Sequence, residues 1–171
     1  LTIVFAVTNP GRGKKGLSAF LVPAGTPGLV VDKVEHKMGQ CASDTCALKF
    51  DDMLLDDGLL LGGEGEGYRI ALANLETGRI GIAAQSVGMA QAALDAAVVY
   101  ARERNTFGKA IMEHQAVGFR LADLAARLEA ARQLVLHAAA TKDAGKPCLK
   151  EASMAKLVAS ETAEAVCSGA I

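Results

Sequence analysis

The chain has 171 residues, 51% of them apolar, with 18 Lys and Arg against 19 Asp and Glu for a net charge of -1. That is enough for one large or two small domains with a sizeable core, and it lacks the basic stripe that nucleic-acid binding needs. No run approaches about 18 uninterrupted apolar residues, so no membrane-spanning helix is expected.

The opening Leu1-Thr2-Ile3-Val4-Phe5 reads as a strand without the charged region of a signal peptide. It starts without Met, and Gly169-Ala170-Ile171 closes with no helix stop. Both ends read as cut, and a longer polypeptide is expected.

Residues 1–66 read as β. Ile3–Val7 and Leu17–Val22 are apolar runs around a turn cluster, Asn9-Pro10-Gly11-Arg12-Gly13-Lys14-Lys15-Gly16, which predicts a hairpin. Arg12, Lys14 and Lys15 in that loop are either a solvated turn or a place to meet a phosphate. Pro23 to Gly28 break the pattern, and Leu29–Val31 and Cys46–Phe50 are further strand candidates. Short strands at close intervals predict an antiparallel sandwich or barrel. Gly62-Gly63-Glu64-Gly65-Glu66-Gly67 fails the dinucleotide-loop pattern, because Tyr68 stands where the last glycine belongs. It is expected to be a flexible linker.

Residues 67–171 change to helical period, with segments near 67–103, 112–144 and 149 onward. Val117, Leu121, Leu124, Leu128, Ala131 and Val135 form one apolar stripe, and Gly145 and Pro147 end that helix. The first segment holds Gly78, Gly81 and Gly88 among alanines. Glycine inside a helix costs about 1 kcal/mol against alanine, so these need a packing or ligand reason. The helices predict an up-and-down bundle, four-helix if one more follows Ile171. The fold class is therefore multi-domain α+β.

The chemistry concentrates at Arg102-Glu103-Arg104-Asn105-Thr106-Phe107-Gly108-Lys109, closed by His114-Gln115. Arg104 offers a planar fork of donors and Thr106 a hydroxyl, beside the start of a helix with free N–H groups. This is an anion-accepting helix junction or a solvated loop whose Phe107 tucks into the core. Arg79, amid Leu75, Ile80 and Ile82, either pairs with Glu76 or faces a ligand. The histidines form no ligand set. Cys41, Cys46, Cys148 and Cys167 have no zinc spacing and are expected to be reduced thiols.

Taken together, Thr26-Pro27-Gly28, His36-Lys37-Met38-Gly39, Ser43-Asp44-Thr45, Gly78-Arg79-Ile80-Gly81-Ile82-Ala83-Ala84-Gln85, the Tyr100–Lys109 stretch and His114-Gln115 resemble the acyl-CoA dehydrogenase family, in detail its short-chain and branched-chain members. The resemblance implies the later part of a middle β domain and the first three helices of a C-terminal four-helix bundle. It implies an FAD enzyme of fatty-acid β-oxidation that converts an acyl-CoA to the trans-2-enoyl-CoA. There a glutamate takes an α-proton, a β-hydride passes to the flavin, and an electron-transfer flavoprotein accepts the electrons. It puts Arg104, Asn105, Thr106 and Phe107, with His114 and Gln115, against the FAD of a neighbouring subunit in a dimer or tetramer. It puts Glu76, Thr77, Gly78 and Arg79 along the acyl-CoA channel and Thr8 against the CoA moiety.

Some features depart from the family pattern. Gly78 stands where a subset of the family carries its base, so the catalytic glutamate is expected beyond Ile171. Lys146-Pro147 replaces paired arginines found near CoA in some members. An acyl-CoA oxidase or a non-catalytic member of the fold is the alternative, and a plain interaction module is a third reading. The implied compartment is a bacterial cytoplasm, which is favoured, or the mitochondrial matrix.

Overall fold

The computed structural model describes Leu1–Ile171 and divides into two compact units, Leu1–Leu72 and Ala73–Ile171. The period change read after residue 66 is where the first long helix starts; the division by compactness falls inside that helix.

In the first unit, β1 (Thr2–Val7) and β2 (Leu17–Val22) form the expected antiparallel hairpin, in register from Thr2↔Val22 to Val7↔Leu17. A short β5 (Leu60–Leu61) pairs with the other edge of β2. As the central strand, β2 buries Ser18, Ala19 and Val22, whereas β1 leaves Ile3, Phe5 and Val7 exposed on alternate positions. β3 (Leu29–Val34) and β4 (Cys46–Phe50) make a separate antiparallel ribbon with an irregularity between Val31 and Lys33.

The β1–β2 loop is built rather than loose. Two 3-10 turns over Pro10–Gly16 meet at Gly13, where φ is 53°. The Asn9 side chain accepts from Gly11 N at 3.2 Å, and Thr8 N and Asn9 N both donate to Gly16 O. The segment Gly62–Gly67 also departs from the expected flexible linker. Gly65 N donates to the buried Ser18 Oγ at 2.9 Å, Gly63 N to Glu66 at 2.9 Å, and a Cβ on Gly67 would lie 2.7 Å from the Ser18 carbonyl carbon. The glycines there allow close approach to β2 and the positive φ of Gly62 and Gly65.

The second unit is helical. α1 spans Gly67–Glu103, α2 Gln115–Asp143 and α3 Leu149–Gly169. Ala83, Val87, Ala90 and Leu94 of α1 pack with Leu124, Leu128, Ala131, Val135 and Ala138 of α2 and Ala155, Ala159 and Val166 of α3. The apolar stripe read on α2 supplies the centre of this core, with Leu121 packed against it. Small core residues such as Ala131 on α2 and Ala155 and Ala159 on α3 accompany the close approach of those two helices. α2 stops where Gly145 takes φ 67° and donates to Lys142 O, while Lys146 N donates to Thr141 O.

α1 is nonetheless long and apolar enough on average to cross a membrane, although charged and polar residues interrupt its apolar run. Core helices of bundles share that property, and α1 places Ala83, Val87, Ala90 and Leu94 in this core. Its Gly78, Gly81 and Gly88 have no atom within 4 Å of an added Cβ. Nothing within the chain uses the room they leave.

Candidate functional site

The junction between α1 and α2 contains a miniature hairpin that the sequence pattern did not reveal. β6 (Asn105–Thr106) pairs with β7 (Lys109–Ala110) across a two-residue turn, Phe107-Gly108. Both turn residues have positive φ, 52° and 80°, the geometry that matches strand twist. Glycine adopts it freely; a bulky phenylalanine does so at a cost and marks a constrained segment. Phe107 is also 98% exposed, so the reading that buries it in the core is wrong.

His114 braces this turn. Its Nε2 lies 3.2 Å from Thr106 Oγ1 and 3.3 Å from Thr106 O, and its ring meets Phe107 edge-on, centroids 6.2 Å apart at 83°. Ile111 N donates to Arg104 O at 2.8 Å, closing the base of the hairpin. Asn105 Nδ2 donates to Glu103 O. Arg104 is exposed, with no carboxylate within 4 Å. Gln115, the first residue of α2, is exposed. The hairpin therefore gathers an unpaired guanidinium and an exposed aromatic on a fixed backbone.

The second group of candidates lies near the start of α1. Glu76 is not paired with Arg79. Its Oε1 instead accepts from Cys148 Sγ at 3.2 Å and from Lys142 Nζ at 3.2 Å. The Cys148 thiol, then Lys142, holds the Glu76 carboxyl below its ordinary value. Burial first, then Glu76, pushes the Cys148 thiol up. Arg79 is half-buried with no carboxylate within 4 Å, although its charge helps to lower the Glu76 carboxyl, while Thr77 and Gly78 are exposed. Sequence reasoning missed Lys142 and Cys148. Only Cys148's place before α3 hints at a role, and no spacing rule links it to Glu76.

Thr8 lies in the first unit. Its hydroxyl shares a 2.8 Å hydrogen bond with Ser18 Oγ and reaches Gly16 O at 3.3 Å. Arg79 lies in the first half of α1, and the hairpin follows the helix's C-terminal end. From Arg79 to Glu103 is about 36 Å at 1.5 Å per residue.

Comparisons with known proteins fit this layout. The chain is 52% identical over 164 residues to the short-chain specific acyl-CoA dehydrogenase, mitochondrial, of Bos taurus, covering 96% of this chain and 40% of that protein. It superposes on butyryl-CoA dehydrogenase from Megasphaera elsdenii with a TM-score of 0.96 at 45% identity, covering 98% of this chain and 44% of that one. It superposes on the FAD complex of PigA with a TM-score of 0.93 at 34% identity, covering 99% of this chain and 44% of that one. The chain thus spans less than half the length of each. The family model described as acyl-CoA dehydrogenase, C-terminal domain, matches residues 65–171, and the chain belongs to the acyl-CoA dehydrogenase family.

Proposed function

We propose that this chain is the later part of an FAD-dependent acyl-CoA dehydrogenase that oxidises a short acyl-CoA to the trans-2-enoyl-CoA and passes electrons to an electron-transfer flavoprotein. The observation that carries this reading is the hairpin: an unpaired Arg104 beside an exposed Phe107 that is held at φ 52° by His114 and Thr106. A dinucleotide offers the two things this surface lacks, a phosphate anion for the guanidinium and a flat ring for the phenyl face. Arg104, Asn105, Thr106, Phe107, His114 and Gln115 would hold FAD, which supplies the hydride acceptor when bound.

The other roles follow the family resemblance. Glu76, Thr77, Gly78 and Arg79 are proposed to line the thioester channel, and Thr8 to meet CoA. A reacting centre near Arg79 lies about 36 Å along α1 from the hairpin. Following the family resemblance, the hairpin is proposed to serve the cofactor of another copy in a dimer or tetramer, and its distance from Arg79 along α1 is compatible with that. Gly78 carries no carboxylate, and the base that takes the α-proton belongs to sequence outside this chain. The short-chain assignment follows the Bos taurus and Megasphaera elsdenii relatives.

The test is spectroscopic. Full-length protein purifies yellow, and anaerobic butyryl-CoA bleaches its flavin band. Replacing Arg104 with Ala lowers the flavin-to-protein ratio. A full-length protein that is colourless and takes up no added FAD overturns the proposal.

A further inference from the structure

We propose that the β1–β2 loop and the first turn of α1 form a groove for a phosphate monoester, and that its occupant is the 3′-phosphate of CoA. The second part rests on the acyl-CoA reading above.

Arg12, Lys14 and Lys15 line an open groove of about 460 Å³ with Tyr68 and Arg69, a volume in the range of small-ligand sites. The two carboxylates there are unequal. Glu66 is already occupied, receiving Arg69 at 3.0 Å and Gly63 N at 2.9 Å. Glu64 also lines the groove, yet no carboxylate lies within 4 Å of Arg12, Lys14 or Lys15. Lys14 Nζ sits 4.9 Å above the Tyr68 ring, which steadies it without cancelling its charge.

Three like charges within four residues repel unless solvent or an anion intervenes. A loose loop would let them spread apart. In this loop the backbone that carries them is closely packed. A Cβ on Gly16 would fall 1.9 Å from Asn9 O and one on Gly65 would fall 2.4 Å from Lys15 O, so the loop is packed against itself and against the turn that starts α1. Ser18 Oγ, buried, ties that turn to β2 through Gly65 N. The loop thus holds three cationic side chains beside one groove, an arrangement suited to a dianionic monoester more than to a singly charged diester. In CoA the monoester is the 3′-phosphate, and dephospho-CoA differs from CoA by that group alone.

The experiment uses the full-length protein and calorimetric titration with CoA and dephospho-CoA. Wild type is expected to bind CoA about tenfold more tightly, the effect of a charge-assisted contact. In a Lys14→Ala/Lys15→Ala variant that keeps the wild-type melting temperature, the two ligands bind alike and the dephospho-CoA affinity is unchanged. Equal affinities in wild type, or equal weakening of both ligands in the variant, overturn the proposal. Should neither CoA bind, the acyl-CoA reading fails, and the groove is decided by inorganic phosphate. Binding of phosphate to wild type that the double variant loses supports it, and no binding overturns it.

Discussion

Cys148 Sγ lies 3.2 Å from Glu76 Oε1, joining residues 72 apart in the chain and tying the residue that precedes α3 to α1. Lys142, in the last turn of α2, reaches the same oxygen at 3.2 Å. One carboxylate therefore links all three helices at one end of the bundle. The buried thiol donates, the carboxylate accepts, and the lysine balances the charge.

This contact makes stability depend on pH in two directions. The Glu76 carboxyl is held below its ordinary 4.5 by the Cys148 thiol and then Lys142. Its contribution is present above that value and is lost as pH falls through the lowered one. The Cys148 thiol is raised above 9.0, by burial first and then by Glu76. Its contribution is present below 9.0 and is lost as pH rises through the raised value. Glu76→Gln keeps the acceptor and removes the charge, so it should flatten the acid limb of the denaturation-midpoint profile and lower the pH at which the thiol ionises. Superimposable acid limbs for wild type and variant would show that the contact carries no weight.

Gly78 separates folding from ligand binding. An added Cβ meets nothing within 4 Å, so Gly78→Ala should raise stability by up to about 1 kcal/mol through helix propensity. If Gly78 lines the thioester channel, the same methyl blocks it, and KM for butyryl-CoA rises while the melting temperature also rises. A more stable variant with unchanged KM removes Gly78 from the substrate surface.

The long-period features were legible because they are local. The start of α1 falls at the end of the glycine-rich stretch 62–67, its end precedes Asn105, and the stripe from Leu121 to Val135 needed only helical spacing. Pairings over long separations were not legible. Arg79 sits one turn from Glu76, and that neighbour was the natural partner, yet Lys142 and Cys148 prevail from 66 and 72 residues away. The two-residue strands β5, β6 and β7 are too short for any periodicity to show. The rigidity of the 62–67 turn was hidden because glycine reads as freedom until a neighbour such as Ser18 occupies the space. Chemistry alone left the Arg104–Gln115 junction open between an anion site and a solvated loop, and the resemblance supplied the cofactor reading.

Core packing gives a prediction independent of any ligand. Leu128 is 2% exposed and Ala159 1% exposed. Leu128→Ala leaves a cavity and should cost roughly 2–5 kcal/mol. Ala159→Leu overfills a close helix contact and should cost roughly 1–3 kcal/mol. Denaturant unfolding of the full-length protein measures both, and a neutral Ala159→Leu would mean that the small residues are not what lets the helices approach.

Phe107 allows the sharpest separation of fold from function. At φ 52° and 98% exposure it contributes strain and little buried area. A left-handed conformation costs a non-glycine residue about 1–2 kcal/mol, which the hydrogen bond of His114 Nε2 to Thr106, worth about 1 kcal/mol, helps to offset. Phe107→Gly removes the strain and keeps the turn, so the unfolding midpoint should hold or rise. The exposed ring is lost, and flavin retention through gel filtration should fall if the ring meets the cofactor. His114→Phe tests the brace from the other side. It keeps an aromatic edge for Phe107 but removes the hydrogen bond to Thr106, so the turn loosens and flavin retention falls with the Phe107 side chain still present. Full flavin content in both variants would leave the strained turn without a cofactor role.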